Sequence, residues 1–303
     1  MEYLIILAAT VLMAVNMAFI KVYQKNYGAG ICSSMRYNCF LGIFATVIFW
    51  AINGFSLAFT PYSVIMGVSL SLLVLVFQFI GFKILAERSI AIYTMFLMAG
   101  GMVVPYAWGL LVLHEPFSWR GLLGVALITV SIILMNTGNE SRPTGKQLAL
   151  CILVFFLNGT VTTLSKLHQI NEIYQKVPTT DFLIWTEITK FVGCAVVLLI
   201  LAAKRKNAPL PEPEEGTITD KFFLPGMGMV LLVILAATVS DSFGYMLQLT
   251  AAKTLSASIM YPFLNGGNIL FSALAGRLFF KEKFNLRIFI SIVICVVGTC
   301  FFL

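Results

Sequence analysis

Long apolar stretches, each followed by a short polar or turn-forming segment, succeed one another along the whole chain. A helix that crosses about 30 Å of hydrocarbon needs about 20 mainly apolar residues, and ten stretches meet this requirement. They are continuous and much longer than β-strands, so they predict an all-α integral membrane protein with ten transmembrane helices. The predicted spans are 3–21, 31–52, 63–83, 90–112, 119–136, 147–166, 180–203, 223–249, 256–277 and 286–303.

The connectors carry the residues that end helices, as at Asn53-Gly54 and Val177-Pro178. Only the segment 204–221 is long, and its Pro and Glu content predicts a flexible, solvated loop.

Part of the pattern occurs twice. Segments 100–135 and 267–302 align without a gap at a constant offset of 167. Both have an apolar run, a hinge around one Glu, an Arg five residues later and a second apolar run. The identical pairs are Gly100/Gly267, Gly109/Gly276, Leu111/Leu278, Glu115/Glu282, Phe117/Phe284, Arg120/Arg287 and Val130/Val297.

The repetition extends to two halves of five spans each, residues 1–138 and 147–303. Lys21 closes the first span as Lys166 closes the sixth, and Phe40 and Gly42 match Phe191 and Gly193. Because five is odd, the second half must lie inverted in the membrane relative to the first. Inverted repeats are common in secondary transporters, whose binding sites lie near the midplane between the repeats.

Composition supports the membrane assignment. The chain is 59% hydrophobic and 11% charged, with a mean hydropathy of +0.94, which excludes an ordinary soluble protein. The net charge of +7 does not indicate nucleic-acid binding, because the basic residues cluster in short segments between apolar runs. The six cysteines lie in or beside apolar runs without metal-ligand spacing, which favours a packing role. The first apolar run lacks a basic n-region and a cleavage site, so we expect it to be retained.

The distribution of Lys and Arg predicts the orientation. Four connector residues fall on one side of the membrane: Arg120, Lys166, Lys176 and Lys253. Fourteen fall on the other: Lys21, Lys25, Lys83, Arg88, Arg142, Lys146, Lys204, Arg205, Lys206, Lys221, Arg277, Lys281, Lys283 and Arg287. The richer side should be cytoplasmic, which places both termini outside the cell.

The hinges LHEPFSWRGLLGVALI and FKEKFNLRIFISIVICVVG, with the duplicated ten-span plan, resemble the drug/metabolite transporter superfamily and its EamA-like members. Lys281 departs from the small or aliphatic residue usual before the second hinge Glu. The resemblance implies a secondary transporter that alternates access to a cavity lined by spans one to four and six to nine. Members move amino acids and their derivatives, nucleotide sugars, sugar phosphates or amphiphilic cations, and the resemblance favours export from a prokaryotic cell across its plasma membrane.

Four ionisable residues lie well inside predicted spans: Arg36, Glu187, Lys190 and Asp241. A charge in hydrocarbon costs about 2.5–3.5 kcal/mol, so each marks a candidate functional site. Arg36 and Lys190 are candidates for holding an anionic group, and Glu187 or Asp241 for binding a coupling proton. Glu187 and Lys190, three residues apart, share a helix face. The alternative is that the four charges only neutralise one another.

Polar uncharged residues within the spans form a second set of substrate-binding candidates: Asn16, Gln78, Tyr245, Asn265 and Asn268. A single residue of this kind more often makes an interhelical hydrogen bond. Asn265 and Asn268 are the stronger candidates, because they flank Gly266-Gly267, where a backbone can approach closely.

We therefore expect a transporter of a small polar or amphiphilic, amino-acid-like metabolite in the lipid bilayer, with a proton as candidate coupling ion and no cofactor. The two histidines, His114 and His168, fall in predicted connectors, and His114-Glu115 lacks the second His of a zinc motif, so we expect no metal. One alternative is a multidrug-type exporter of organic cations, which Glu187 and Asp241 favour but Arg36 and Lys190 oppose, because they would repel a cation. The other is a lipid-modifying enzyme, for which no catalytic cluster is evident. The sequence does not distinguish a monomer from a homodimer.

Overall fold

The computed structural model describes residues 2–28, 30–87, 90–111, 118–136, 144–206, 227–251, 257–281 and 286–301. Within these ranges the chain forms ten helices. They are α1 (Glu2–Tyr27), α2 (Ile31–Ile52), α3 (Pro61–Glu87), α4 (Ile90–Leu111), α5 (Trp119–Asn136), α6 (Gly145–Ile170), α7 (Thr179–Lys206), α8 (Met227–Ala251), α9 (Ala257–Phe280) and α10 (Leu286–Cys300). The hinge residues Glu115 and Glu282, and most of the predicted 204–221 loop, lie outside the described residues.

Each predicted span corresponds to one helix, and several helices continue beyond the apolar run that predicted them. α1 reaches Tyr27, a turn and a half past Lys21, and α6 reaches Ile170. The helical backbone hydrogen bonds continue through the polar residues that follow each apolar run, and hydropathy does not predict helix there.

Seven helices are long and apolar enough to cross a membrane, judged by length and composition: α1, α2, α3, α4, α6, α7 and α8. α5 and α10 are apolar but shorter. In α9 the side chains are described only from Leu264 onward. The described chain is thus an all-helical, multi-pass membrane protein.

The chain divides into two compact units. Unit 1 comprises Met1–Ala18, Glu87–Thr163 and Phe243–Leu303, and unit 2 comprises Phe19–Ala86 and Leu164–Ser242. Each unit takes helices from both predicted repeats, so the repeat boundaries 1–138 and 147–303 stay a prediction from sequence.

In unit 2, α2 packs along α7 at very short range. A Cβ added to Gly42 would lie 3.2 Å from the Phe191 amide nitrogen and 3.2 Å from the Glu187 carbonyl oxygen. Cys39, one turn earlier on α2, shares a buried cluster with Cys194 on α7. Since later residues of α2 face earlier residues of α7, the two helices run antiparallel.

At one end of unit 2, Asp181 in the first turn of α7 accepts two hydrogen bonds that stabilise the packing. Its Oδ1 accepts a hydrogen bond from Asn53 Nδ2 at 2.9 Å and from the Ala58 amide at 2.9 Å. Asp181 is 3% exposed. It fixes the connector between α2 and α3 onto the start of α7, a role that the sequence pattern did not indicate.

We expect Asp181→Ala to lower the free energy of unfolding by about 2–3 kcal/mol, because the Ala58 amide and the Asn53 side chain both lose their charged acceptor. Asp181→Asn keeps one acceptor oxygen and should cost less. Thermal unfolding of the purified protein in detergent measures both. Equal melting temperatures for Asp181→Ala and the wild type would show that Asp181 does not secure this end.

The prediction that His168 lies in a connector is wrong. His168 is 2% exposed in the last turn of α6, and its ring stacks on Phe182 with centroids 3.8 Å apart. His168 Nε2 lies 2.9 Å from Ser63 Oγ, which also accepts a hydrogen bond from the Val177 amide. α6 continues past Lys166 because these partners on α3 and α7 bury its end.

The opposite end of unit 2 holds an aromatic core. Tyr23 packs against Tyr37 with ring centroids 5.0 Å apart, and Tyr37 against Phe82 at 5.3 Å. The Tyr23 hydroxyl donates to the Ser33 carbonyl, and Gln24 Nε2 to the Phe82 carbonyl. The end of α1, the start of α2 and the end of α3 therefore meet here.

In unit 1, α4 packs on α9 and α5 packs on α10. Asn268 Nδ2 lies 3.6 Å from Met98 Sδ, while Gly101 lies opposite Asn265. Earlier residues of α9 thus face later residues of α4, so this pair also runs antiparallel.

Glycines permit two further contacts in unit 1. A Cβ on Gly100 of α4 would overlap the Phe155 backbone carbonyl of α6, and one on Gly267 of α9 would lie 2.7 Å from Thr10 Cγ2 of α1. Gly100 and Gly267 are partners in the sequence repeat. Phe155 and Thr10 are separated by 145 residues, the same offset that separates Lys166 from Lys21.

Candidate functional site

The centre of α7 carries a buried ion pair. Lys190 Nζ donates to Glu187 Oε1 at 2.6 Å, and the side chains are only 6% and 14% exposed, respectively. The two residues are three positions apart, so one helical turn brings them to the same face. The contact predicted from this spacing is present.

Only one oxygen of Glu187 is used in this pair. Glu187 Oε2 is buried and has no hydrogen-bond partner among the described residues. An ionised carboxylate normally accepts several hydrogen bonds, and a buried oxygen without any is costly. Glu187 therefore keeps an unused capacity to accept a hydrogen bond or to bind a proton.

Arg36 is buried on α2, with 5% of its surface exposed. Its guanidinium interacts electrostatically with the Tyr23 hydroxyl, and its Nε has no hydrogen-bond partner among the described residues. Guanidinium groups form strong, bidentate contacts with carboxylates and phosphates. A buried Arg with an unused N–H is a suitable donor for such a group.

The packing of α2 on α7 gives the spacing of the two cations. Gly42 lies opposite Phe191 and Cys39 opposite Cys194, so Arg36 lies at about the level of residue 197. At about 1.5 Å per residue this is roughly 10 Å from Lys190 along the helix axis. Both side chains are long, so a small molecule with one or two polar groups matches the distance.

Asp241 lies on α8 in the same unit and is half-buried. It interacts electrostatically with Glu187 and with Tyr37, the neighbour of Arg36 in sequence. All four predicted charged residues thus belong to unit 2, on helices α2, α7 and α8.

Buried polar atoms without a hydrogen-bond partner are concentrated in this unit. Within the described part of the chain, eight of them belong to unit 2: Gln24 Oε1, Ser34 Oγ, Arg36 Nε, Tyr37 Oη, Asn38 Oδ1, Thr46 Oγ1, Gln78 Oε1 and Glu187 Oε2. Native proteins leave few such atoms, and clusters of them call for an explanation. A polar ligand that enters unit 2 would find hydrogen-bonding groups already in place.

The uncharged candidates divide between the units. Gln78 lies on α3 in unit 2, while Asn16, Tyr245, Asn265 and Asn268 lie in unit 1. Asn268 is 1% exposed, and its Oδ1 accepts a hydrogen bond from Ser272. Asn265 lies near Gly101, together with Asn158 and Thr162. Substrate contact by these residues stays a prediction.

Sequence reasoning missed the tyrosines around Arg36. Tyr23 and Tyr37 are both fully buried, and each interacts with one of the predicted charged residues. Tyr37 follows Arg36 directly in the sequence, but Tyr23 comes from another helix. Only the packing of α1 on α2 brings Tyr23 to the site.

Comparison with known proteins gives one family. A model of the EamA-like transporter family matches residues 145–303, a segment that includes α6 to α10 and therefore Glu187, Lys190 and Asp241. No curated protein matches the chain at a significant level.

Proposed function

Because the chain belongs to the EamA-like transporter family, we propose that it is a secondary active transporter of a small, polar or amphiphilic, amino-acid-like metabolite. It works by alternating access, and it exports its substrate when the substrate gradient points outward. Membership in the family makes it a membrane transporter of the drug/metabolite type. The substrate class and the mechanism are our proposal.

The observation that carries the proposal is the buried charge cluster of unit 2. Arg36, Glu187 and Lys190 lie on two closely packed helices, and each is largely removed from the surface. Buried charges inside a membrane are expensive and are found mainly where a substrate or an ion is handled. A passive structural bundle would be more stable with apolar residues at these positions.

In the proposed site Arg36 and Lys190 bind the anionic group of the substrate. Arg36 offers a donor without a partner, and Lys190 offers an ammonium group that is now held by a single oxygen. The two positive charges disfavour the alternative of an organic-cation exporter, because a cation would have to approach both of them.

Inverted repeats provide the framework for alternating access. Three contacts support this arrangement: α2 packs on α7, α4 on α9 and α5 on α10, each pair joining equivalent helices of the two halves. The antiparallel direction of α2 and α7, and of α4 and α9, is the one that inversion requires. The matched contacts Gly100–Phe155 and Gly267–Thr10 fit a pseudo-two-fold axis.

We place the protein in the plasma membrane with both termini outside, since the basic connectors favour the cytoplasmic side. In a variant without native cysteines, Ala208→Cys in the long loop should resist a membrane-impermeant thiol reagent in intact cells. Ser56→Cys, in the exposed connector after α2, should be labelled. Labelling of Ala208→Cys with protection of Ser56→Cys would reverse the orientation.

Counterflow in proteoliposomes tests the function. Vesicles that hold the purified protein are loaded with one unlabelled compound and diluted into the same labelled compound. The panel contains amino acids, carboxylic acids, sugar phosphates, nucleosides and organic cations. We expect transient accumulation of a compound with an anionic group. Accumulation of organic cations alone would favour the exporter alternative, and no accumulation by folded protein would contradict the proposal.

We expect Arg36→Gln to weaken binding of the accumulated compound about 100-fold, because loss of a charged hydrogen-bond partner in a buried site costs about 3 kcal/mol. Arg36→Lys should recover only part of the loss, since Lys lacks the bidentate geometry. The dependence of counterflow on concentration gives the affinities. Wild-type affinity in Arg36→Gln would exclude Arg36 from the site.

A further inference from the structure

The geometry of the Glu187–Lys190 pair points to a role in coupling. Lys190 Nζ has one described anionic partner, Glu187 Oε1 at 2.6 Å, and Glu187 Oε2 has none. If an anionic substrate group binds Lys190 in place of Glu187, Glu187 loses the cation that balances its charge. Removal of one partner from a buried ion pair costs about 3–5 kcal/mol, because the other charge is left uncompensated.

A buried carboxylate avoids this cost by binding a proton. We propose, building on the transport function above, that Lys190 exchanges Glu187 for the anionic group of the substrate and that Glu187 binds one proton in the same step. The substrate and the proton therefore cross the membrane together and in the same direction, so export requires an outward substrate gradient that exceeds the inward proton gradient.

The charge balance of the step is simple. The empty site contains the ion pair Glu187–Lys190. The loaded site contains neutral Glu187, with a proton from the aqueous side to which the site is open, and Lys190 paired with the substrate anion. For a substrate with one negative charge the site gains one proton and one anion, so its net charge does not change.

The groups around Glu187 act in both directions. On α8, Asp241 interacts with Glu187 and favours its neutral form, because two like charges repel. Lys190 carries the opposite charge and favours the ionised form. On α2, Arg36 lies roughly 15 Å from Glu187 along the helix axis, and Tyr37 and Cys39 are neutral. From α3, Ser71 donates to the Thr186 carbonyl and Leu75 packs near Gly193, so the nearest part of α3 adds no charge.

Antiport, in which the proton and the substrate cross the membrane in opposite directions, would need a different geometry. Both would have to compete for the same carboxylate, which requires a cationic substrate at Glu187. Lys190 already occupies Oε1, and Arg36 adds a second positive charge to the unit. The arrangement therefore favours cotransport over antiport.

Infrared spectroscopy tests the protonation without any ligand. In Lys190→Met, Glu187 lacks its cation, and we expect the C=O stretch of one protonated carboxylic acid at neutral pH. The double variant Glu187→Gln/Lys190→Met should lack this band, and so should Lys83→Met, which removes an exposed lysine of unit 2. Lys190→Gln replaces Lys190→Met if the latter does not fold. A Lys190 variant with Glu187 still ionised would overturn the proposal.

A pH gradient tests the direction of coupling, with the strongest counterflow compound of the panel as probe. Acid outside the vesicles should increase the initial rate of uptake, and alkali outside should decrease it. For efflux the expected effects are opposite: acid outside should slow efflux and alkali outside should accelerate it. Stimulation by alkali outside, or no effect of the gradient, would overturn cotransport while leaving the transport function intact. Absence of counterflow for every compound would instead refute the transport function, and the infrared result would still decide the protonation of Glu187.

Discussion

Glu187→Gln is expected to reduce net, gradient-driven transport about 100-fold or more and to leave counterflow within a few-fold of the wild type. Gln imitates the protonated glutamate of the loaded carrier. In counterflow the carrier crosses the membrane only while it is loaded, and in that state the substrate anion balances Lys190. Net transport also requires the empty carrier to return across the membrane.

The empty carrier is the state that this substitution penalises. Without the carboxylate of Glu187, the buried Lys190 ammonium has no described anionic partner when the substrate is absent. The cost of about 3 kcal/mol or more for such a charge corresponds to a factor of about 100 or more. Added substrate should consequently raise the melting temperature of Glu187→Gln more than that of the wild type.

Initial rates of net uptake and of counterflow, measured on the same proteoliposomes, separate the two effects. Glu172→Gln is the matched control, because it makes the same change at an exposed glutamate in the connector after α6. Net transport by Glu187→Gln at the wild-type rate would refute coupling through Glu187. Equal loss of net transport and counterflow in folded protein would place Glu187 in substrate binding instead.

Gly100→Ala is expected to destabilise the protein by about 3 kcal/mol or more. The added methyl group would overlap the Phe155 carbonyl in the backbone of α6, so no side-chain rotation relieves the clash. α4 and α6 would have to separate. Overfilling of a packed interior typically costs 1–3 kcal/mol, with larger values where the surroundings cannot adjust.

Gly145→Ala provides the control, since nothing lies within 4 Å of a Cβ at that position in the first turn of α6. It should be neutral or slightly stabilising, because Ala favours helix more than Gly does. Yield and thermal unfolding in detergent measure both variants. Wild-type stability of Gly100→Ala would show that α4 and α6 do not pack as closely as described.

Much of the fold could be predicted because hydrocarbon imposes a simple rule on sequence. An apolar run of sufficient length must form a helix, so each predicted span has its helix. Exact helix ends were less predictable: α1 and α6 run on through polar residues, and His168 became part of α6 rather than of a connector. Hydropathy carries no signal there, while tertiary contacts decide the end.

Contacts of the candidate site within one helix could be predicted from the sequence, whereas contacts between helices could not. Glu187 and Lys190 lie on one helix, and their spacing alone indicated the ion pair. The Tyr23 hydroxyl beside Arg36 depends on packing between helices, which the single sequence did not reveal. Asp181 was missed because a carboxylate in a first helical turn is common, and only the structure gives its partners Asn53 and Ala58.

Counterflow by the wild type and Arg36→Gln, measured side by side in proteoliposomes, tests the central claim most directly. We expect the wild type to accumulate a labelled compound that carries an anionic group, and Arg36→Gln, at the same concentration and with an unchanged melting temperature, to accumulate little of it. Equal accumulation by the two proteins, or none by folded wild-type protein, would contradict an anion-binding transporter built on Arg36 and Lys190.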